Sequence, residues 1–77
     1  MITEAEIKQG GEWVTIDFAE GVKRRRQVMR CPACAGPINP YDGGGSVPHF
    51  AHIKANPHCP LSFRFSGTSK AHPDALA

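Results

Sequence analysis

Residues 31–59 read CPACAGPINPYDGGGSVPHFAHIKANPHC, and this stretch holds all three cysteines and three of the four histidines. Cys31 and Cys34 are two residues apart, a spacing with which one tight turn supplies two thiolates to a metal ion. Structural zinc takes four ligands, drawn from thiolate and imidazole, at the corners of a tetrahedron. We therefore predict one structural Zn²⁺ ion, with Cys31, Cys34 and Cys59 as three of its ligands.

The fourth zinc ligand is a choice among the histidines. His58 adjoins Cys59, and neighbouring residues converge on one ion only with difficulty, while His72 lies 13 positions beyond that cysteine. Of the remaining two, His52 closes the smaller loop, with six residues between it and Cys59. Spacing therefore favours His52 over His49, and we expect the other of these two to be packed and bonded to the backbone.

Three other chemistries use similar residues. A thioredoxin-type redox pair expects the C-x-x-C motif to open a helix in a βαβ unit, and Pro37 and Pro40 argue against such a helix. An iron–sulfur site is an alternative for three cysteines and a histidine. An open catalytic zinc with His52 as a base needs a pocket, for which 77 residues leave little room. We therefore predict that the chain is not an enzyme.

The bulk composition favours a small protein that needs a metal. A chain of 77 residues allows one domain with a modest core, and its 8 glycines and 7 prolines indicate many turns. An odd number of cysteines argues against a secreted disulfide framework, and neither a secretory signal nor an apolar run of membrane-spanning length is visible. These features predict a cytoplasmic protein that is largely unfolded without its metal.

The apolar pattern before the cysteines predicts a β-hairpin. Apolar residues alternate over 12–19, which is typical of a strand, and residues 23–30 predict a second strand. Glu20-Gly21 supplies the turn between them. We predict a capped helical turn from Thr3 to Glu6 in the lead-in, since the spacing matches a capping box.

The remaining segments predict short elements. We expect a flexible tip at 42–46, a strand at 47–53, and a strand or irregular packed segment around Leu61, Phe63 and Phe65. Ser69 is placed to cap a C-terminal helical stub. The predicted fold class is a small β-rich zinc finger, with α+β as the alternative: an N-terminal hairpin, a CPxC knuckle, short strands and this stub. The domain boundaries are a lead-in at 1–11, one zinc-finger domain at 12–72 and a tail at 73–77.

Positive charge is concentrated in the second part of the chain. Residues 1–20 carry five acidic residues and one lysine, whereas residues 21–77 carry eight lysines and arginines against two aspartates. A basic strand can contact phosphates, or it can be a solvated edge strand whose charges prevent pairing with other sheets. The candidate residues for nucleic-acid or partner binding are Lys23, Arg24, Arg25, Arg26 and Arg30.

The order of motifs resembles a known family. The C-P-x-C at residues 31–34, the P-H-F-A-H at 48–52 and the later Cys59 resemble the N-terminal zinc-finger region of the competence protein CoiA family. The resemblance covers residues 12–72, including glycines 43–45, and it is most specific in P-H-F-A-H. It implies a zinc module associated with DNA processing. Nothing in the sequence matches the nuclease domain that follows this region in the family.

Two functions follow as hypotheses. The first is a stand-alone structural-zinc module that binds nucleic acid, or a nucleic-acid-processing complex, through a basic hairpin face. The alternative is a protein-interaction adaptor, or a phage or mobile-element inhibitor of a host protein complex, without direct nucleic-acid binding. In the alternative, the basic residues dock on an acidic protein surface.

Overall fold

A single antiparallel sheet organises the chain. The computed structural model describes residues 1–41, 47–62 and 65–77, and these form a five-stranded sheet in the order β2-β1-β3-β4-β5 with one short helix. This confirms the predicted small β-rich fold class. The elements are β1 (Glu4–Gln9), β2 (Glu12–Asp17), α1 (Phe18–Lys23), β3 (Met29–Arg30), β4 (Pro37–Tyr41) and β5 (His49–His52).

The first hairpin lies one strand earlier than predicted. β1 and β2 pair from Glu4 opposite Asp17 to Gln9 opposite Glu12. The loop between them is Gly10-Gly11, with φ of 60° and 85°. Glycine suits this loop because two-residue hairpin turns need positive φ, which side chains disfavour. The predicted helical turn in the lead-in is therefore wrong, since residues 4–9 form a strand that pairs with both β2 and β3.

The helix α1 stands where a turn and a second hairpin strand were expected. The Asp17 side chain accepts a hydrogen bond from the Glu20 N–H at 2.8 Å, which caps the helix. Gly21 is buried, and a Cβ atom there would overlap the Phe50 ring. The predicted strand at 23–30 is consequently wrong for most of its length, because the helix runs to Lys23 and a turn follows before β3.

The core lies on one face of the sheet and includes the cysteines. Ile7, Met29 and Ile38 are cross-strand neighbours on adjacent strands, and each is almost fully buried. Phe18 of α1 packs edge-on against Phe50, with ring centroids 5.5 Å apart. The buried cluster consists of Ile2, Ala5, Ile7, Met29, Cys31, Cys34, Ile38, Phe50 and Cys59. Since the thiols belong to the same core as the aliphatic side chains, site and fold are one packing unit.

The C-terminal part has little regular structure. Within 53–62 and 65–77 the described residues form turns and bends but no helix or strand, so the predicted stub starting at Ser69 is wrong. The predicted tip at 42–46 and the position of Phe63 lie outside the described residues. Within the described part of the chain, no helix has the length and apolar character to cross a membrane.

Candidate metal centre

Four side chains converge on one point. One ligand atom from each of Cys31, Cys34, His52 and Cys59 lies within 4.8 Å of all the others. The Cys31 and Cys59 Sγ atoms are 3.7 Å apart, and Cys34 Sγ is 3.4 Å from His52 Nε2. A tetrahedral zinc site gives edges of about 3.8 Å between sulfurs and about 3.6 Å between sulfur and nitrogen. These four predicted residues can therefore hold one metal ion.

The thiols are not bridged to one another. All three cysteines are free and buried. A disulfide requires about 2.05 Å between its sulfurs, far less than the 3.7 Å between Cys31 and Cys59. The odd number of cysteines thus has a structural explanation, because three thiols and one imidazole make a complete set of four donors.

The first knuckle, residues 31–36, is a tight turn closed by backbone hydrogen bonds. The Ala35 N–H donates to the Cys31 carbonyl at 2.8 Å, and the Cys31 N–H donates to the Gly36 carbonyl at 2.8 Å. The Ala33 N–H points at Cys31 Sγ from 3.4 Å, which favours a thiolate there. Ala35 has a φ of 61°, so the turn needs a left-handed residue between the second cysteine and Gly36.

The two candidate histidines lie on opposite sides of β5, and His52 is the one that faces Cys34. His52 lies opposite Ile38 in β5 and turns its Nε2 atom to Cys34. His49 is three positions earlier, on the other side of the strand, because strand side chains alternate with a period of two. It is 8% exposed, and its Nδ1–H donates to the Val47 carbonyl at 2.6 Å. The expectation of one histidine at the metal and one bonded to the backbone agrees with this arrangement.

A buried asparagine shapes the second knuckle, which presents Cys59. Asn56 is 1% exposed, and its Oδ1 accepts a hydrogen bond from the His58 N–H at 3.1 Å. Its carbonyl accepts from the Cys59 N–H at 3.1 Å, and its Nδ2 donates to the Lys70 carbonyl at 3.4 Å. Asn-Pro shortly before a candidate ligand is a sequence signal of this local hydrogen bonding.

The two other histidines make backbone and hydroxyl contacts outside the cluster. The His58 Nδ1 atom lies 3.1 Å from the Thr68 carbonyl and 3.0 Å from the Ser66 hydroxyl. His72 is 3% exposed, and both of its ring nitrogens are engaged by backbone groups. Its distance from Cys59 argued against His72 as a ligand, and no local motif predicts these backbone contacts.

Burial favours the neutral forms of three candidate ligands. Burial raises the pKa of the Cys31 thiol to about 12, and it also raises the pKa of Cys59. Burial lowers the pKa of His52. A bound cation reverses this preference at the thiols, because thiolates become favoured beside a positive charge. The site can therefore take up a divalent ion only by releasing thiol protons.

The predicted basic residues do not share one hairpin face. Arg24 pairs with Glu20 at 2.8 Å, and Arg25 donates to the Pro40 carbonyl at 3.3 Å. Lys23 and Arg26 are exposed. The prediction of a basic hairpin face is therefore wrong in its geometry, since these residues occupy the end of α1 and the turn after it.

Arg30 lies apart from residues 23–26, in β3, and its contacts stabilise the sheet. Its Nε lies 2.7 Å from a Glu6 carboxylate oxygen, and its guanidinium stacks 4.2 Å from the centre of the Trp13 ring. It also donates to the Leu76 carbonyl at 3.0 Å. These contacts assign Arg30 a packing role, because both its charge and its flat face are already engaged.

A surface groove of about 270 Å³ runs beside the basic turn. Its exposed walls include Val28 and Ile53, each 64% exposed, and none of its lining residues in the described part of the chain is acidic. The lining residues are Arg25, Arg26, Gln27, Val28, Met29, Pro37, Ile38, Asn39 and Ile53. The groove therefore combines aliphatic surface with positive charge.

Comparison with known proteins places the chain in a family. A model of an uncharacterised protein family matches residues 1–77. The chain belongs to this family. No curated protein and no solved structure matches it. The family match provides no link to CoiA, so that resemblance stays a prediction.

Proposed function

We propose that the chain is a binding module built around one structural Zn²⁺ ion, without catalytic activity. The observation that carries this proposal is the convergence of Cys31, Cys34, His52 and Cys59, whose ligand atoms all lie within 4.8 Å of one another. Three thiolates and one imidazole suit zinc, whereas magnesium and calcium prefer oxygen ligands. Four protein donors complete the coordination and leave no position for a reacting water, which makes the ion structural.

A pair of histidine variants tests the ligand set. Purified protein should contain one zinc per chain, and Co²⁺ substitution should give the absorption of a tetrahedral site with three thiolates. His52→Ala should keep the thiolate bands but shift the d–d bands and weaken Co²⁺ binding, while the matched variant His49→Ala should change neither, because His49 bonds to the Val47 carbonyl. Iron in place of zinc, or unchanged d–d bands and affinity in His52→Ala, would contradict the proposed site.

The partner of the module, in our proposal, is nucleic acid or a nucleic-acid-processing complex. Three features support this: the excess of basic residues in 21–77, the exposed side chains of Lys23 and Arg26, and the resemblance of residues 12–72 to the CoiA finger region. Exposed cations attract the phosphate backbone and release counterions, so such binding is independent of sequence and sensitive to salt.

Salt dependence and a charge-matched control test nucleic-acid binding. Lys23→Ala/Arg26→Ala should weaken binding to single- and double-stranded DNA and lower the salt slope by about 1 to 2. Lys54→Ala/Lys70→Ala removes the same charge elsewhere and should have the smaller effect, since Lys54 is paired with Asp74 at 3.4 Å. No retention of any nucleic acid at low salt would exclude this partner.

The groove favours a second candidate, an acidic segment of a partner protein. Sites for single-stranded nucleic acid use aromatic platforms for bases, whereas the groove offers the aliphatic Val28 and Ile53 beside Arg25 and Arg26. Such a surface is complementary to a peptide with an apolar anchor and carboxylates. Val28→Asp should abolish capture of an acidic partner, and Val47→Asp, at an equally exposed valine, should not.

A further inference from the structure

His72 connects the pieces that carry two of the candidate metal ligands. Its backbone N–H donates to the Cys34 carbonyl at 3.0 Å, and its ring Nε2 lies 2.8 Å from the Lys54 carbonyl, two residues after His52. One residue thus bonds to a ligand of the first knuckle and to the segment that leaves β5. These are the two chain segments whose separation would pull Cys34 and His52 apart.

The hydrogen bonds of His72 fix its tautomer. The Asp74 N–H can only donate, so the His72 Nδ1 atom, 2.9 Å away, accepts. The Lys54 carbonyl can only accept, so Nε2 carries the proton and donates to it. His72 is therefore a neutral imidazole with both nitrogens in use, and it is not available as a metal ligand.

The His72 ring also packs against the site itself. It stacks on the His52 ring, with the centroids 6.2 Å apart and the planes 19° from parallel. On the knuckle side it contacts Gly36, where a Cβ atom would overlap the ring. The Leu76 N–H donates to the Ala35 carbonyl at 2.8 Å, so the chain after His72 stays on the same knuckle.

From these contacts we propose that His72 is a positioning residue of the metal centre, which holds Cys34 and His52 together and thereby slows release of the ion. The proposal rests on the metal binding proposed above. The ion leaves when one ligand swings away and a competitor takes its place, and the stacked ring and the bond to the Cys34 carbonyl oppose that movement. Groups of this kind around metal ligands are worth about 10- to 100-fold in affinity.

The test is the rate at which zinc-loaded full-length protein transfers its ion to a chromogenic chelator in excess. His72→Ala should accelerate transfer by about tenfold or more. His72→Gln retains one donor and one acceptor and should restore most of the wild-type rate. The matched control is His58→Ala, which also removes a histidine bonded to a carbonyl but lies outside the cluster, and it should leave the rate unchanged.

Co²⁺ spectra separate positioning from ligation. His72→Ala should retain the thiolate bands and intensity of the wild type, because His72 contributes no donor atom. Gly36→Ala is a second route to the same effect, since its Cβ displaces the ring without deleting it. Equal transfer rates in wild type, His72→Ala and Gly36→Ala, or a changed coordination spectrum in His72→Ala, would overturn the proposal. A wild-type chain that binds no ion would instead refute the metal centre itself.

Discussion

The two ends of the sheet are stabilised in different ways. Residues 4–23 form a hairpin of two six-residue strands and a capped helix, which satisfy their backbone groups through regular hydrogen bonds. The described residues of 31–77 comprise the short β4 and β5 and otherwise irregular chain, held by isolated backbone hydrogen bonds and four converging ligand atoms. The comparison teaches that a bound metal ion would stabilise the region where regular secondary structure is scarce, because irregular chain buries little apolar surface for the entropy it loses.

Metal removal should have the largest effect and should act unequally on the two regions. Zinc binding to small fingers supplies about 10–16 kcal/mol, comparable to the whole stability of a typical domain. We expect a chelator to abolish amide protection throughout 31–77 and to leave residual protection, if any, only in β1 and β2. Hydrogen exchange with residue-level readout measures this. Uniform, undiminished protection without metal would show that the core alone stabilises both regions.

Phe50→Ala should have the next largest effect, because this side chain joins the two regions. Phe50 lies on β5 between His49 and His52, yet it packs on Phe18 and against Gly21 of α1. Truncation of a buried phenylalanine costs about 3–5 kcal/mol. Thermal unfolding of the metal-loaded protein should show this loss, whereas Val47→Ala, at an exposed position, should change stability little. A small loss for Phe50→Ala would mean that the two regions are packed independently.

The pH dependence of metal affinity should reveal the buried thiols. Cys31 and Cys59 have raised pKa values and are protonated near neutral pH, so each releases a proton when the ion binds, whereas His52, with its lowered pKa, binds as neutral imidazole. At least two released protons predict an affinity that falls by at least about 100-fold per unit decrease in pH. Competition titrations at several pH values test this slope. A pH-independent affinity between pH 6 and 8 would contradict buried thiol ligands.

Without metal, the stability of the folded protein should depend on pH in alkaline rather than acidic solution. Since the pKa of Cys31 is raised from 9.0 to about 12, the folded state favours the protonated thiol. This contribution is complete below pH 9 and is lost as the pH rises towards 12. If residues 31–77 keep their fold after chelation, contrary to the expectation above, they should therefore unfold in alkaline rather than neutral solution.

Arg30→Ala should have the smallest of these effects. Arg30 pairs with Glu6, covers Trp13 and binds the Leu76 carbonyl, but its side chain remains 21% exposed. A partly exposed ion pair with a cation–π contact is worth about 1 kcal/mol. Arg24→Ala, which removes the more exposed pair with Glu20, should cost less. Equal losses for the two variants in chemical denaturation would show that the stack on Trp13 adds nothing.

Local signals in the sequence explain what was predictable about the fold. The alternation of Val14 and Ile16 correctly indicated β2, and the C-x-x-C spacing indicated a knuckle. The hairpin was misplaced because the lead-in was interpreted as a capped helical turn, although Gly10-Gly11 between two strands is a type I′ turn signal. Similarly, Asp17 and Glu20 have the spacing of a helix cap, and the turn assigned to Glu20-Gly21 overlooked it.

The candidate site was more predictable than its supports. Spacing alone selected His52, and strand alternation gives an independent reason, because residues three apart in a strand face opposite sides. The role of Asn56 was readable only in part, and that of His72 not at all. The role of His72 depends on the backbone carbonyl groups of Cys34 and Lys54. Every residue has such a group, and only the folded chain brings these two close to His72.

The Gly10-Gly11 tip also has a practical use. A Cβ atom at either glycine would meet nothing within 4 Å, so this loop projects into open solvent. Exposed loop tips tolerate inserted segments well. An epitope or a fluorescent dye on a short insertion here would label the chain without adding histidines or thiols near the candidate metal ligands. Stoichiometry and transfer measurements could then be made on labelled material.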